Sequence, residues 1–125
     1  GFMTSTRMTS ITFALFRIVF GLVWVLHGLQ KYGVFGGNPV EVGSLMGIAG
    51  LIEIVLGTLI TVGLFTRPAA FLASGQMAVA YFTSHLPRSI HPLQNGGEPA
   101  LLFCFAFLFI AAYGAGILSL DTRRG

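Results

Sequence analysis

Charge is what this chain has least of. Four Asp and Glu stand against seven Lys and Arg, 9% of 125 residues, where a soluble domain carries about a quarter. So little polar surface excludes an ordinary water-soluble fold. The cations are scattered along the chain rather than gathered into a stripe with interleaved aromatics, which excludes a nucleic-acid surface. Cysteine is nearly absent as well. Cys104 stands alone, so no internal disulfide and no CxxC redox pair can form. Strand alternation, internal repeats, dinucleotide fingerprints, a haem-ligating pair and a flavin motif are all missing. The chain therefore carries no evident cofactor of its own.

What is abundant is apolar surface and glycine. Hydrophobic residues make up 54% of the chain, with seventeen glycines, and the mean hydropathy is +0.84. Glycine is poor in soluble helices but common in membrane ones, where it lets backbones approach. Four apolar runs stand out, at 10–29, 44–65, 68–85 and 98–118. Each has a length matching a bilayer core about 30 Å thick. Gly, Asn and Pro mark 30–43 and 86–97 as loops. Pro68 and Pro99 suit the first turns of the helices they open. These runs predict an all-α, up-down-up-down four-helix transmembrane bundle over 10–118. Residues 1–9 are expected as a polar, frayed tail, with Gly1 and Phe2 ahead of Met3 reading as a cloning remnant. Residues 119–125 are expected as a second tail.

The Lys and Arg bias sets the expected orientation. Arg7, Arg67, Arg123 and Arg124 share one side; Lys31 and Arg88 share the other with Glu41 and Glu98. Both termini should lie in the cytoplasm and both long loops outside, in a bacterial inner membrane.

Against that background "AGLIEIVLG" (49–57) poses a question. Glu53 sits inside an apolar run, where a charge costs about 2.5–3.5 kcal/mol on lenient insertion scales. Arg17 is the matching anomaly in the first run. By depth along antiparallel helices, with Arg17 about seven residues from one end and Glu53 about nine from the other, the two should pair. The alternatives are that Arg17 snorkels to the headgroups and that Glu53 is protonated against a backbone carbonyl. Arg17, Gly21, Trp24, Gly28 and Lys31 recur on one helical face, flanked by His27; Gly50, Glu53 and Gly57 line up on the next helix. The glycines are packing notches that leave room beside Glu53. Gln76 lies at similar depth, either as a ligand contact or as an interhelical hydrogen-bonder. A buried polar cavity is expected with Glu53 in its wall and Arg17 or Gln76 as its nearest partner, while Lys31 and His85 lie farther out. His27, Lys31, His85, His91, Asn95 and Glu98 would form a polar mouth over it. Their spacing matches no metal motif. "FCFAFLF" (103–109) is read as lipid-facing or core bulk, and Cys104 as a small buried hydrophobe.

The ordered set "RIVFGLVWVLHGLQKYG", "GLIEIVLGTLITVGLFTRPAA", "NGGEPALLF" and "YGAGILSLD", from Phe16 to Asp121, resembles the DoxX family of small bacterial four-helix membrane proteins. The resemblance implies a place near quinone-linked sulfur oxidation, with members serving as oxidoreductase components. Disulfide-handling relatives need paired cysteines, which a chain with Cys104 alone lacks.

The residues and the resemblance together lead to the expectation of a small subunit of a membrane redox complex. Arg17, Glu53, Gln76, His27, Lys31 and Trp24 would bind a quinone or another small amphipathic molecule, or a lipid. Two other classes stay open: a scaffold clasped by Arg17–Glu53, and a proton-coupled transporter. Partners would be the bilayer, redox subunits and a second copy of the chain, with no nucleic acid.

Overall fold

Long apolar runs have one way to satisfy their backbone groups away from water, and the chain takes it. The structure, a computed structural model, describes residues 2–124, with side chains at 4–123. About 75% of the chain is helical, and no strand occurs among the described residues. Helix α1 is Phe2–Lys31, α2 Leu45–Val62 and α3 Thr66–Ala80, which runs on into a π-helical turn at Tyr81–His85. A one-turn α4, Pro92–Asn95, precedes α5, Glu98–Tyr113, and a short α6, Leu120–Arg124, ends the described chain.

Two expected boundaries are corrected. The tail expected at 1–9 is helical from Phe2 onward; Gly1 lies outside the described residues. No Gly or Pro interrupts that stretch, and Thr9 Oγ1 bonds back to the Ser5 carbonyl at 2.9 Å within the turn. At the other end the helix expected to reach residue 118 stops at Tyr113. Gly114 (φ 102°), Gly116 (φ 71°) and Leu118 (φ 56°) adopt positive φ, which a helix cannot continue through. The chain turns back beneath the bundle, and α6 forms within the segment expected as a tail. Gly125 lies outside the described residues.

The helices form two tight hairpins. The α1–α2 pair and the α3–α5 pair each pack along their length, while α2 meets α3 sparingly. Glycine makes the first hairpin possible. A Cβ on Gly21 would lie 2.5 Å from Thr61 Oγ1, and one on Gly28 would lie 2.6 Å from the Gly50 carbonyl. The pairs 21/57 and 28/50 therefore fix an antiparallel register. The second hairpin uses alanine: Ala69, Ala70 and Ala73 are buried, and Ser74 Oγ donates to the Cys104 carbonyl at 2.8 Å. Cys104, expected as a small buried hydrophobe, is only half-buried, and its Sγ lies against Ser74 Oγ. Aromatic rings close the α1–α5 seam, with Trp24 on Phe107 at 4.9 Å and Phe20 on Phe103 at 5.4 Å. Phe107 is fully buried while Phe105 faces outward, so the phenylalanine run supplies both core and outer face.

Large apolar side chains cover the outside of every long helix, among them Val19, Val55, Phe71 and Phe105. Helices α1, over Thr4–Lys31, and α2 are long and apolar enough to cross a membrane; α5 is apolar but shorter. Exposed apolar surface this extensive marks a membrane protein.

Candidate functional site

Glu53 points into the bundle. It is 3% exposed, and its carboxylate accepts from Lys31 Nζ at 2.5 and 2.7 Å. Arg17 is not its partner, and the expectation of an Arg17–Glu53 pair is corrected. In the glycine-fixed register Glu53 stands level with Val25, which is eight residues or about 12 Å along α1 from Arg17. Side-chain direction completes the explanation. Helical side chains lean toward their own N-terminus. Arg17 therefore leans away from Glu53. Lys31 leans back down α1 and Glu53 leans up α2, so the pair judged too far apart by backbone depth closes.

Arg17 does something else. Fully buried, its guanidinium donates to the carbonyls of Ile60 (3.0 Å) and Thr61 (3.4 Å) at the end of α2, and to those of Ala115, Ile117 (3.0 Å) and Leu118 (2.7 Å) in the returning segment. A planar fork with five donors suits such a cluster. A cation also complements the C-terminal end of the α2 dipole. Arg17 is thus a clasp on the backbone at one end of the bundle, away from the Glu53 site and not snorkelled to the surface.

Around the ion pair lies a cavity of about 350 Å³, lined by Trp24, His27, Lys31, Met46, Ala49, Glu53, Gln76, Met77, Ala80, Ser84, His85, Pro99 and Ala100. Of the expected ligand residues, Trp24, His27, Lys31, Glu53 and Gln76 meet here, and His85 joins them; Arg17 does not. The π-helical turn carries His85 to this wall. Its wider i→i+5 bond, Leu86 N to the Tyr81 carbonyl at 2.8 Å, adds a residue to the last turn of α3. Gln76 Oε1 is buried with no hydrogen-bond partner, a state that a protein interior rarely tolerates in a polar group. Gln76 also lines an apolar groove of about 440 Å³ on the outer α2–α3 seam, with Leu51, Ile52, Val55, Leu56 and Leu72. One side chain thus stands between the cavity and the lipid-facing groove.

The rest of the expected mouth is only partly assembled. Asn95 is buried and works as a clip: its Nδ2 donates to the Ser89 carbonyl (2.9 Å) and to Tyr81 Oη (3.3 Å), and its Oδ1 accepts from Gly97 N (2.7 Å). The Asn95 carbonyl meets His85 Nδ1 at 3.2 Å. His91 is exposed and caps α4 through Leu93 N. Glu98 is exposed in the first turn of α5. Neither His91 nor Glu98 lines the cavity. Among the described residues no three His, Cys, Asp or Glu side chains converge to hold a metal.

Two polar contacts went unforeseen. Tyr32 Oη donates to the Gly47 carbonyl at 2.6 Å, tying the first loop to α2. Asp121 accepts from Phe65 N and Thr66 N, both at 2.9 Å, and so caps α3 from the far end of the chain. A capping acid is visible in a sequence only when it precedes its helix, and this one follows at a separation of 55 residues.

An uncharacterized protein of Haemophilus influenzae is 42% identical over 118 aligned residues, 88% of either chain. No solved structure matches. The DoxX family profile matches residues 12–86, the α1–α2 hairpin, α3 and the π-helical turn, and on that match the chain belongs to the DoxX family.

Proposed function

We propose that this protein binds a small amphipathic carbonyl compound, of the quinone class, in the Lys31–Glu53 cavity, and serves as a small subunit of a membrane redox complex without a redox cofactor of its own. All four long helices cross the inner membrane in this reading. Helix α3 with its π turn covers Thr66–His85, about 30 Å at helical rise. The shorter α5 presents Leu102, Phe105 and Leu108 outward. Arg7, Arg67 and Arg123 mark the cytoplasmic end, with both termini there, and the cavity opens toward the other side.

The observation that carries the reading is an ion pair in a cavity wall, with Glu53 buried and Lys31 half-buried, beside an unpartnered amide oxygen. Such a pair is weak evidence of stability, since an apolar replacement of similar volume is often as stable. Its value lies in chemistry. Lys31 can donate to a ligand carbonyl, and Glu53, held against it, can take or return a proton. Gln76 gains the partner it lacks, and Trp24 offers a flat wall. The loose α2–α3 seam and its apolar groove suit a ligand that arrives from within the bilayer.

Trp24 is the only tryptophan and lines the cavity, so it reports occupancy directly. A short-chain ubiquinone titrated into the protein in detergent should quench its emission saturably. In Glu53→Gln the saturable component should disappear while helicity is retained. Linear, unsaturable quenching in the wild type, together with no quinone in a lipid extract of the purified protein, would refute the reading.

The Arg17 backbone clasp favours a second reading, a scaffold for partner subunits or a second copy. There Glu53→Gln would lower stability and leave quenching linear in both proteins. Alternating access in a proton-coupled transporter would need the two hairpins to rock about the sparse α2–α3 seam.

A further inference from the structure

Gln76, His85 and Glu53 all line the Lys31–Glu53 cavity, and each brings an acceptor to it. Gln76 Oε1 is buried and has no hydrogen-bond partner. An amide oxygen only accepts, so what it lacks is a donor. On His85 the Nδ1 atom lies 3.2 Å from the Asn95 carbonyl. A carbonyl cannot donate, so Nδ1 carries the proton, and Nε2 of the neutral ring keeps its lone pair. That tautomer is held firmly. Asn95 is 1% exposed and is tied to Ser89, Tyr81 and Gly97. Gly97 lets the loop close on the π-helical turn, since a Cβ there would lie 2.7 Å from His85 Cβ and 2.8 Å from the Tyr81 ring. The ring makes no second hydrogen bond among the described residues. Glu53, when ionised, has about four acceptor sites, and Lys31 Nζ meets its two oxygens.

These acceptors distinguish the two redox forms of a quinone-class ligand. The oxidised form carries carbonyls, which accept and never donate. It can bond the N–H that Lys31 has left over from Glu53, but it leaves Gln76 Oε1 as it was. The two-electron-reduced form carries two hydroxyls. Each can donate to a cavity acceptor while its oxygen still accepts from Lys31. Gln76 and His85 are also too far apart for a single hydroxyl. Nine positions along one continuous helical rod amount to about 13 Å, a separation that hydroxyls on opposite sides of a ring can serve. A site with buried hydrogen-bonding groups discriminates strongly against a ligand that leaves them unpaired.

We propose that the cavity selects the reduced, hydroquinone form of its ligand, with one ring hydroxyl donating to Gln76 Oε1 and the opposite one to His85 Nε2. The proposal rests on the quinone-class reading of the same cavity and adds to it the redox state and the two residues that recognise it. Binding makes and breaks no covalent bond. Gln76 and His85 act as specificity determinants, and Asn95 positions His85 by fixing its tautomer.

The full chain in detergent, under argon at about pH 8, where an ordinary histidine is neutral, is titrated calorimetrically with a short-chain ubiquinol, the matching ubiquinone and the 1,4-dimethyl ether of the quinol. The ether keeps the reduced ring and its oxygens but has no O–H. The quinol should bind at least about tenfold more tightly than the quinone, and the ether no more tightly than the quinone. Gln76→Leu removes an oxygen that makes no bond within the protein, so its unfolding midpoint should match the wild type. Its affinity for the quinol should fall about tenfold, with that for the quinone kept within about twofold. His85→Asn retains a donor for the Asn95 carbonyl and removes the Nε2 acceptor, and the same selective loss is expected. Saturable quinone binding with no preference for the quinol, an ether that binds as well as the quinol, or a full preference retained in both variants would each overturn this proposal and leave the quinone-class reading standing. Failure of all three compounds to bind would overturn both.

Discussion

Replacing Arg17 with Met separates the two accounts of its role most sharply. Its guanidinium binds five carbonyls, two at the end of α2 and three in 115–118. A hydrogen bond to a charged group contributes about 1.5–3 kcal/mol. Five such bonds would sum to about the entire stability of a small domain, so they cannot be additive. The structure shows why. The 115–118 segment lies at an end of the bundle, and once released its three carbonyls can take water. The Ile60 carbonyl keeps its bond from Gly63 N at 3.2 Å. What remains is chiefly the Thr61 carbonyl, the lost packing of a fully buried stem and the lost charge at the end of α2. Arg17→Met should therefore cost about 3–5 kcal/mol, in the range for removing one partner of a buried polar cluster. Arg17→Lys, with three donors from one point, should cost about half of that. Unfolding in mixed micelles, followed by Trp24 emission, measures both. A double-mutant cycle between Arg17→Met and Glu53→Gln should give a coupling below about 0.5 kcal/mol, as for separated sites. A coupling above about 1 kcal/mol would show that the two side chains interact after all, and would refute the clasp.

Lys31→Met leaves the Glu53 carboxylate buried without its ammonium and should cost about 3–5 kcal/mol, whereas Lys31→Met combined with Glu53→Leu should regain most of that, as read by the same micelle titration. Gly21→Ala puts a methyl 2.5 Å from Thr61 Oγ1 and 2.8 Å from its backbone nitrogen, which should force the α1–α2 hairpin apart at about 1–3 kcal/mol. Gly75→Ala is the control: a Cβ there meets nothing within 4 Å, and the helix should gain about 0.5–1 kcal/mol. Asn95→Ala removes three bonds that hold the second loop and should raise proteolytic cleavage within 86–97 while α1 and α2 stay protected.

How much of this was legible beforehand follows from what each feature depends on. Composition and run length alone specify an all-helical chain with apolar outer faces, because a backbone away from water must bond within its own segment. The 3.6-residue repeat put Arg17, Gly21, Trp24, Gly28 and Lys31 on one buried face, and Gly50, Glu53 and Gly57 on the face that meets it. That Glu53 would turn inward beside a cavity followed from the same arithmetic. Its partner did not. Depth counted along backbones gave Arg17, whereas the direction in which helical side chains lean selects Lys31, and the register that decides between them is set by glycine contacts between two helices. The 114–119 return, the burial of Arg17 in it and the capping of α3 by Asp121 join residues up to 101 positions apart. No local pattern encodes such contacts. They exist only once the two hairpins have packed and brought the end of the chain beneath them.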